Sequence, residues 1–70
     1  MMLAADELIR YCRKFRGMTQ HDLAIRVGIT QTEISQYECG RREPKYATVV
    51  WILNAMGFNL LLTKEETEWA

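Results

Sequence analysis

The sequence predicts an all-α domain of four or five short helices, followed by a short strand-like extension. Three observations carry this expectation. Apolar residues recur at three- and four-residue spacing within each candidate helix. Each such stretch is closed by a glycine, at Gly17, Gly28, Gly40 and Gly57. Two of them open on a hydroxyl side chain suited to capping, at Thr19 and Thr30. Residues 1–58 are expected to form the helical domain and residues 59–70 a strand and tail.

The first helix starts at Asp6, places Leu8, Ile9, Cys12 and Phe15 on its apolar face, and stops before Gly17. In the second, Thr19 precedes Gln20-His21-Asp22, which puts an acid in the first turn where the helix dipole favours it; Leu23, Ala24 and Val27 share one face. Gly28-Ile29-Thr30 reads as a tight corner: Gly28 tolerates positive φ, Ile29 plugs the corner and Thr30 caps the next helix. The third helix runs from Gln31 to Cys39 with Ile34 and Tyr37 inward. Arg41-Arg42-Glu43-Pro44 reads as an exposed loop with Pro44 near the start of a fourth helix, whose core face holds Tyr46, Val49, Ile52, Leu53 and Met56. Phe58 to Thr63 is a short apolar run that suits a strand, with a fifth helix as the alternative. The charged residues Lys64 to Ala70 read as a loose tail.

Seventy residues, 49% hydrophobic and 26% charged, describe one globular domain rather than a disordered segment. A domain of this size buries only about 60% of its unfolded surface, so oligomerisation is an expected supplement to its core. No stretch approaches the ~20 apolar residues of a membrane span, and no apolar run follows the N-terminus, so the expected location is cytoplasmic. Cys12, Cys39 and the lone His21 lack the number and spacing of a zinc site, and both cysteines read as small buried or half-buried hydrophobes. No metal or cofactor is expected. Ser35 and His21 are present, yet no acid stands at a spacing that would orient such a base, so no catalytic residue and no enzyme activity are expected. His21 reads as a solvated first-turn residue, with a phosphate contact as the alternative.

Two short helices joined through Gly28-Ile29-Thr30 set the second steeply against the first, the geometry that lets one cross a DNA backbone while the other lies in the major groove. The outward face of the third helix carries Gln31, Thr32, Ser35 and Gln36. Ordinary solvated faces are dominated by Lys and Glu, whereas this one has Glu33 alone between Gln31 and Tyr37. Gln can bond adenine N6 and N7 together, and Thr can meet a thymine methyl. Net charge is zero, which argues against a strong phosphate footprint, but residues 1–46 hold eight Lys and Arg against six Asp and Glu, and the acidic excess lies in residues 47–70.

Thr19-Gln20-x-x-Leu23-Ala24-x-x-Val27-Gly28-Ile29, then Ile34-Ser35-x-Tyr37-Glu38-x-Gly40, then Pro44, then the apolar helix ending Met56-Gly57-Phe58, occur in that order. Over residues 8–58 the chain thereby resembles the Cro and phage-repressor class, the XRE-type family of bacterial helix-turn-helix regulators. The resemblance implies a lambda-repressor-like fold, double-stranded DNA as partner and action as a homodimeric transcriptional regulator, a repressor reading an inverted repeat. It implies base contacts from Gln31, Thr32, Ser35 and Gln36, and phosphate contacts from Gln20, Thr30, Arg41 and Arg42. It implies a partly buried ion pair between Arg13 and Glu38. Lys45 departs from the family, which tends to have Ser or Thr as the cap there.

On the fourth helix Trp51 projects almost opposite the core face, and Leu60-Leu61-Leu62 would as a strand be apolar on both sides with no second strand to pair with. These features predict a homodimer with Trp51, Leu60, Leu61 and Leu62 in its interface, the strands pairing across a two-fold axis. The ending also resembles antitoxins of the HipB type, which implies a kinase toxin as a further partner. The alternative from another class is a protein-interaction module that has kept the fold and lost DNA binding, which the neutral net charge favours.

Overall fold

The computed structural model describes residues 4–59. They form four helices and, among the described residues, no strand: α1 Ala5–Phe15, α2 Gln20–Val27, α3 Gln31–Glu38 and α4 Tyr46–Ala55. The all-α expectation holds. Phe58 and Asn59 are in neither helix nor strand, and the predicted interface residues Leu60, Leu61 and Leu62 lie outside the described residues. None of the four helices is long and apolar enough to cross a membrane.

Local chemistry sets the helix boundaries. Thr19 Oγ1 accepts from the Asp22 N–H while Asp22 accepts from the Thr19 N–H, both at 3.0 Å, and Thr30 and Glu33 repeat the arrangement at 3.1 and 3.0 Å. Each pair satisfies two backbone donors that a helix start would otherwise leave open. Helix α1 begins one residue before the expected Asp6, because Ala5 is a strong helix former and the Glu7 carboxylate accepts from the Ala4 N–H at 3.2 Å. Lys45 caps α4 without a side-chain bond, so Pro44 stays outside that helix. At the corner, Gly28 sits at φ +89°, and the N–H groups of Gly28 and Ile29 both donate to the Ala24 carbonyl, at 2.8 and 3.1 Å. A Cβ at that φ would crowd its own backbone, which is why glycine ends α2.

The core gathers Ile9 and Cys12 from α1, Leu23, Ala24 and Val27 from α2, Ile34 and Tyr37 from α3, and Val49, Ile52, Leu53 and Met56 from α4 and its end. Helix α3 packs on α1 and α2, and α4 packs on α1 and α2. The Arg16 Nε donates to the Met56 carbonyl at 2.9 Å, fastening the end of α1 to the end of α4.

Three expected core residues are not there. Tyr46 is exposed because it opens α4: Cβ bonds tilt towards a helix's N-terminus, so a first residue points past the helix end. Phe15 is exposed at the edge of the apolar stripe, where its ring stacks on Tyr11 instead. Cys39, read as buried or half-buried, is exposed because it lies just past the last turn of α3, with its thiol turned towards the Gln36 carbonyl at 3.6 Å. Cys12 is buried as expected.

Candidate nucleic-acid interface

Helix α3 is held by its buried side and displays its other side. Ile34 and Tyr37 anchor it in the core, so the helical period leaves Gln31 and Thr32 exposed and Ser35 and Gln36 half-buried on the outer face. These four line one open concavity together with Gln20 from the start of α2 and Cys39 and Arg41 from beyond α3. No carboxylate lines it, and Arg41 is its one charged residue.

Beneath this face lies the ion pair. Arg13 donates from Nε and Nη2 to the two Glu38 carboxylate oxygens at 2.6 and 2.9 Å, and from Nη1 to the Met18 carbonyl at 2.8 Å. Arg10 donates to the Glu38 backbone carbonyl at 2.8 Å, so two α1 arginines hold the end of α3. Glu38 is 3% exposed, and pairing it is what makes its burial tolerable. The bond to Glu38 raises the Arg13 pKa above its ordinary value, with burial opposing it. Gln20 Nε2 also donates to Glu38 Oε1, at 3.2 Å, so this candidate phosphate ligand is oriented by the ion pair and keeps one N–H free.

The other predicted phosphate contacts separate. Arg41 lines the concavity, while Arg42 turns to the far side of α3. There its guanidinium lies 5.7 Å from the Tyr37 ring centre and 3.9 Å from the Glu33 carboxylate. Thr30 accepts from the Glu33 N–H and donates its one hydroxyl proton to the Glu33 carboxylate at 3.1 Å, so its hydroxyl is engaged in capping. Bonds from the Thr30 N–H and hydroxyl hold the Glu33 carboxyl below its ordinary pKa.

Two basic residues near the site escaped the sequence reading. Arg10 and Lys14, one turn apart on α1, line a second concavity that shares Gln20, Ser35 and Cys39 with the first. Their four-residue spacing, with Arg13 between them, was the available signal; that this flank of α1 faces α3 was not. Trp51 is 51% exposed on α4, away from the core. Among the described residues no group of His, Cys, Asp and Glu is placed to hold a metal ion.

The family described as a helix-turn-helix domain matches residues 7–65. The chain is 39% identical over 65 residues to an uncharacterized HTH-type transcriptional regulator, YqaE, of Bacillus subtilis, covering 90% of this chain and 56% of that protein. It is 33% identical over 58 residues to the uncharacterized HTH-type transcriptional regulator y4dL of Sinorhizobium fredii, covering 83% of this chain and 30% of that one. A third relative, an uncharacterized HTH-type transcriptional regulator of Methanothermobacter thermautotrophicus, is 44% identical over 50 residues, 71% of this chain and 72% of its own. The chain thus spans about half or less of the first two relatives. No solved structure matches it.

Proposed function

The chain belongs to the helix-turn-helix domain family, and from that membership we propose that it binds double-stranded DNA sequence-specifically and regulates transcription as a homodimer. The observation that carries this reading is the carboxylate-free outer face of α3, where Gln31, Thr32, Ser35 and Gln36 stand together. An α-helix about 10–12 Å across fits a major groove about 12 Å wide, and uncharged donor-acceptor side chains are what base edges there require. Gln31 and Gln36 read bases, and Thr32 and Ser35 contact adjacent positions. Gln20 and Arg41 bind phosphates at the two ends of the face, with Lys14 and Arg10 as a third point along α1. Arg42 reaches phosphate only on the Glu33 side of α3, and Thr30 only by giving up its hydroxyl bond to Glu33.

Two copies related by a two-fold axis place two α3 helices about 34 Å apart, one helical turn of DNA, on an inverted repeat, and a dimer bound there represses by blocking polymerase. The exposed Trp51 and the Leu60-Leu61-Leu62 run support the homodimer. Selection of bound duplexes from a randomised pool at moderate salt tests the reading. Recovery of an inverted repeat with one-turn spacing is expected. No enrichment of any sequence would refute sequence-specific binding, and enrichment of a single half-site would refute the dimeric arrangement.

A further inference from the structure

One flank of α1 carries apolar rings with no cover among the described residues. Tyr11 and Phe15, 62% and 65% exposed, stand one turn apart with ring centres separated by 6.4 Å and planes 20° from parallel. Phe58 completes the cluster, its ring centre 6.0 Å from that of Phe15, and the Arg16 guanidinium lies 4.5 Å from the Phe58 ring centre. Scattered exposed apolar residues need no explanation, but contiguous rings on one flank mark a contact surface. At 100° per residue, Tyr11 and Phe15 each lie about 160° around α1 from Arg13, the side chain that reaches α3. The cluster can therefore be covered while the α3 face holds DNA.

The course of the chain says what covers it. From Phe58 the sequence continues Asn59-Leu60-Leu61-Leu62. At about 3.3–3.6 Å per residue, Leu62 stays within ~14 Å of Phe58, so the leucine run cannot move far from the rings. As a strand leaving Phe58 it would turn Leu60 and Leu62 to one side and Leu61 to the other, and its backbone N–H and C=O groups would need a pairing strand. A second copy supplies that strand about 4.8 Å away, with the same three leucines. Beyond them stand Glu65, Glu66 and Glu68, opposite in charge to Arg16 at the rim of the cluster.

We propose that Tyr11, Phe15 and Phe58 seat a second copy of this chain: its Leu60–Leu62 segment lies across the rings, paired with the segment that continues from Phe58. This rests on the homodimer reading above and extends that interface from Trp51 and the leucine run onto α1. The contact is symmetric, so each copy offers both the rings and the strand.

The test compares the full-length wild type with Tyr11→Ser/Phe15→Ser, in which both replaced side chains are more than half exposed. Sedimentation equilibrium should show the dimer dissociation constant raised at least about tenfold, with helix content by circular dichroism unchanged. In wild type, mixing isotope-labelled and unlabelled copies should give nuclear Overhauser contacts between the rings of one copy and the leucine methyls of the other. A wild-type dimer with the same dissociation constant in the variant would overturn the seat and leave the dimer standing. Ring-to-leucine contacts confined to one copy would also overturn it, since the chain's own segment would then cover the rings. A wild type that stays monomeric would remove the homodimer reading and the seat together.

Discussion

Replacing Arg13 by Met leaves a carboxylate in the core with one remaining side-chain partner, and the cost can be worked from the contacts. Arg13 and Glu38 are 11% and 4% exposed at the side chain and are joined by two charge-assisted bonds of 2.6 and 2.9 Å. Without Arg13, Glu38 keeps only the 3.2 Å bond from Gln20. Breaking a buried pair by removing one partner costs about 3–5 kcal/mol. The lost bond from Arg13 to the Met18 carbonyl adds about 1 kcal/mol. A chain of 70 residues at about 0.05–0.15 kcal/mol per residue holds roughly 3.5–10 kcal/mol, so the substitution removes a large share of the stability, about 40% or more. Urea unfolding followed by circular dichroism at fixed protein concentration measures this. Combining Arg13→Met with Glu38→Leu removes the stranded charge, while the Arg10 bond survives because it goes to the Glu38 backbone carbonyl. The double variant should therefore be more stable than the Arg13→Met single, within about 2 kcal/mol of wild type. A single-variant loss below about 1 kcal/mol, or a double-variant loss equal to the sum of both singles, would refute the argument.

Gln36→Ala should cost about 1–3 kcal/mol of DNA affinity and relax preference at one base pair, whereas Arg41→Ala should weaken all sequences alike and lower the salt slope by about one; binding isotherms on matched and mismatched duplexes at several salt concentrations separate the two. Stability should fall in acid. Bonds from the Thr19 N–H, and less so its hydroxyl, hold the Asp22 carboxyl below its ordinary 3.8, and Thr30 does the same for Glu33 below 4.5. A depressed folded-state pKa contributes stability that is present above the unfolded value and lost as pH falls through the folded one, so the loss should begin below about pH 4.5 and shrink in Asp22→Asn. A melting temperature flat from pH 5 to pH 3 would contradict this. A thiol reagent at neutral pH should modify Cys39 quickly and Cys12 only on unfolding, since Cys12 is buried and burial pushes its thiol pKa up, against a smaller opposing effect of Arg16. Two equally fast thiols in the folded protein would show that Cys12 is open to solvent.

Much of this molecule was readable from neighbouring residues. The starts of α2 and α3 were legible because Thr19 with Asp22 and Thr30 with Glu33 complete their bonds within three residues. Gly28 announced the corner because a positive φ there is a local steric matter. That Gln31, Thr32, Ser35 and Gln36 share a face is a consequence of the helical period. Tyr46 misled because periodicity does not register that a helix's first residue points past its end. Cys39 misled because composition says nothing about lying past a last turn.

The sequence by itself determined where α2 and α3 begin, the corner at Gly28, most of the side chains that turn inward, and which polar residues α3 can present. Those are consequences of bonds and sterics acting over three or four residues, and they survive in any packing. Only the tertiary structure decided that Arg41 joins the α3 face while Arg42 leaves it, that Gln20 is held by Glu38, and that Arg10 and Lys14 border the site. It also decided that Tyr11 and Phe15 meet Phe58 in one cluster. Each of these depends on how one helix is turned against another, which is set by contacts between residues far apart in the chain.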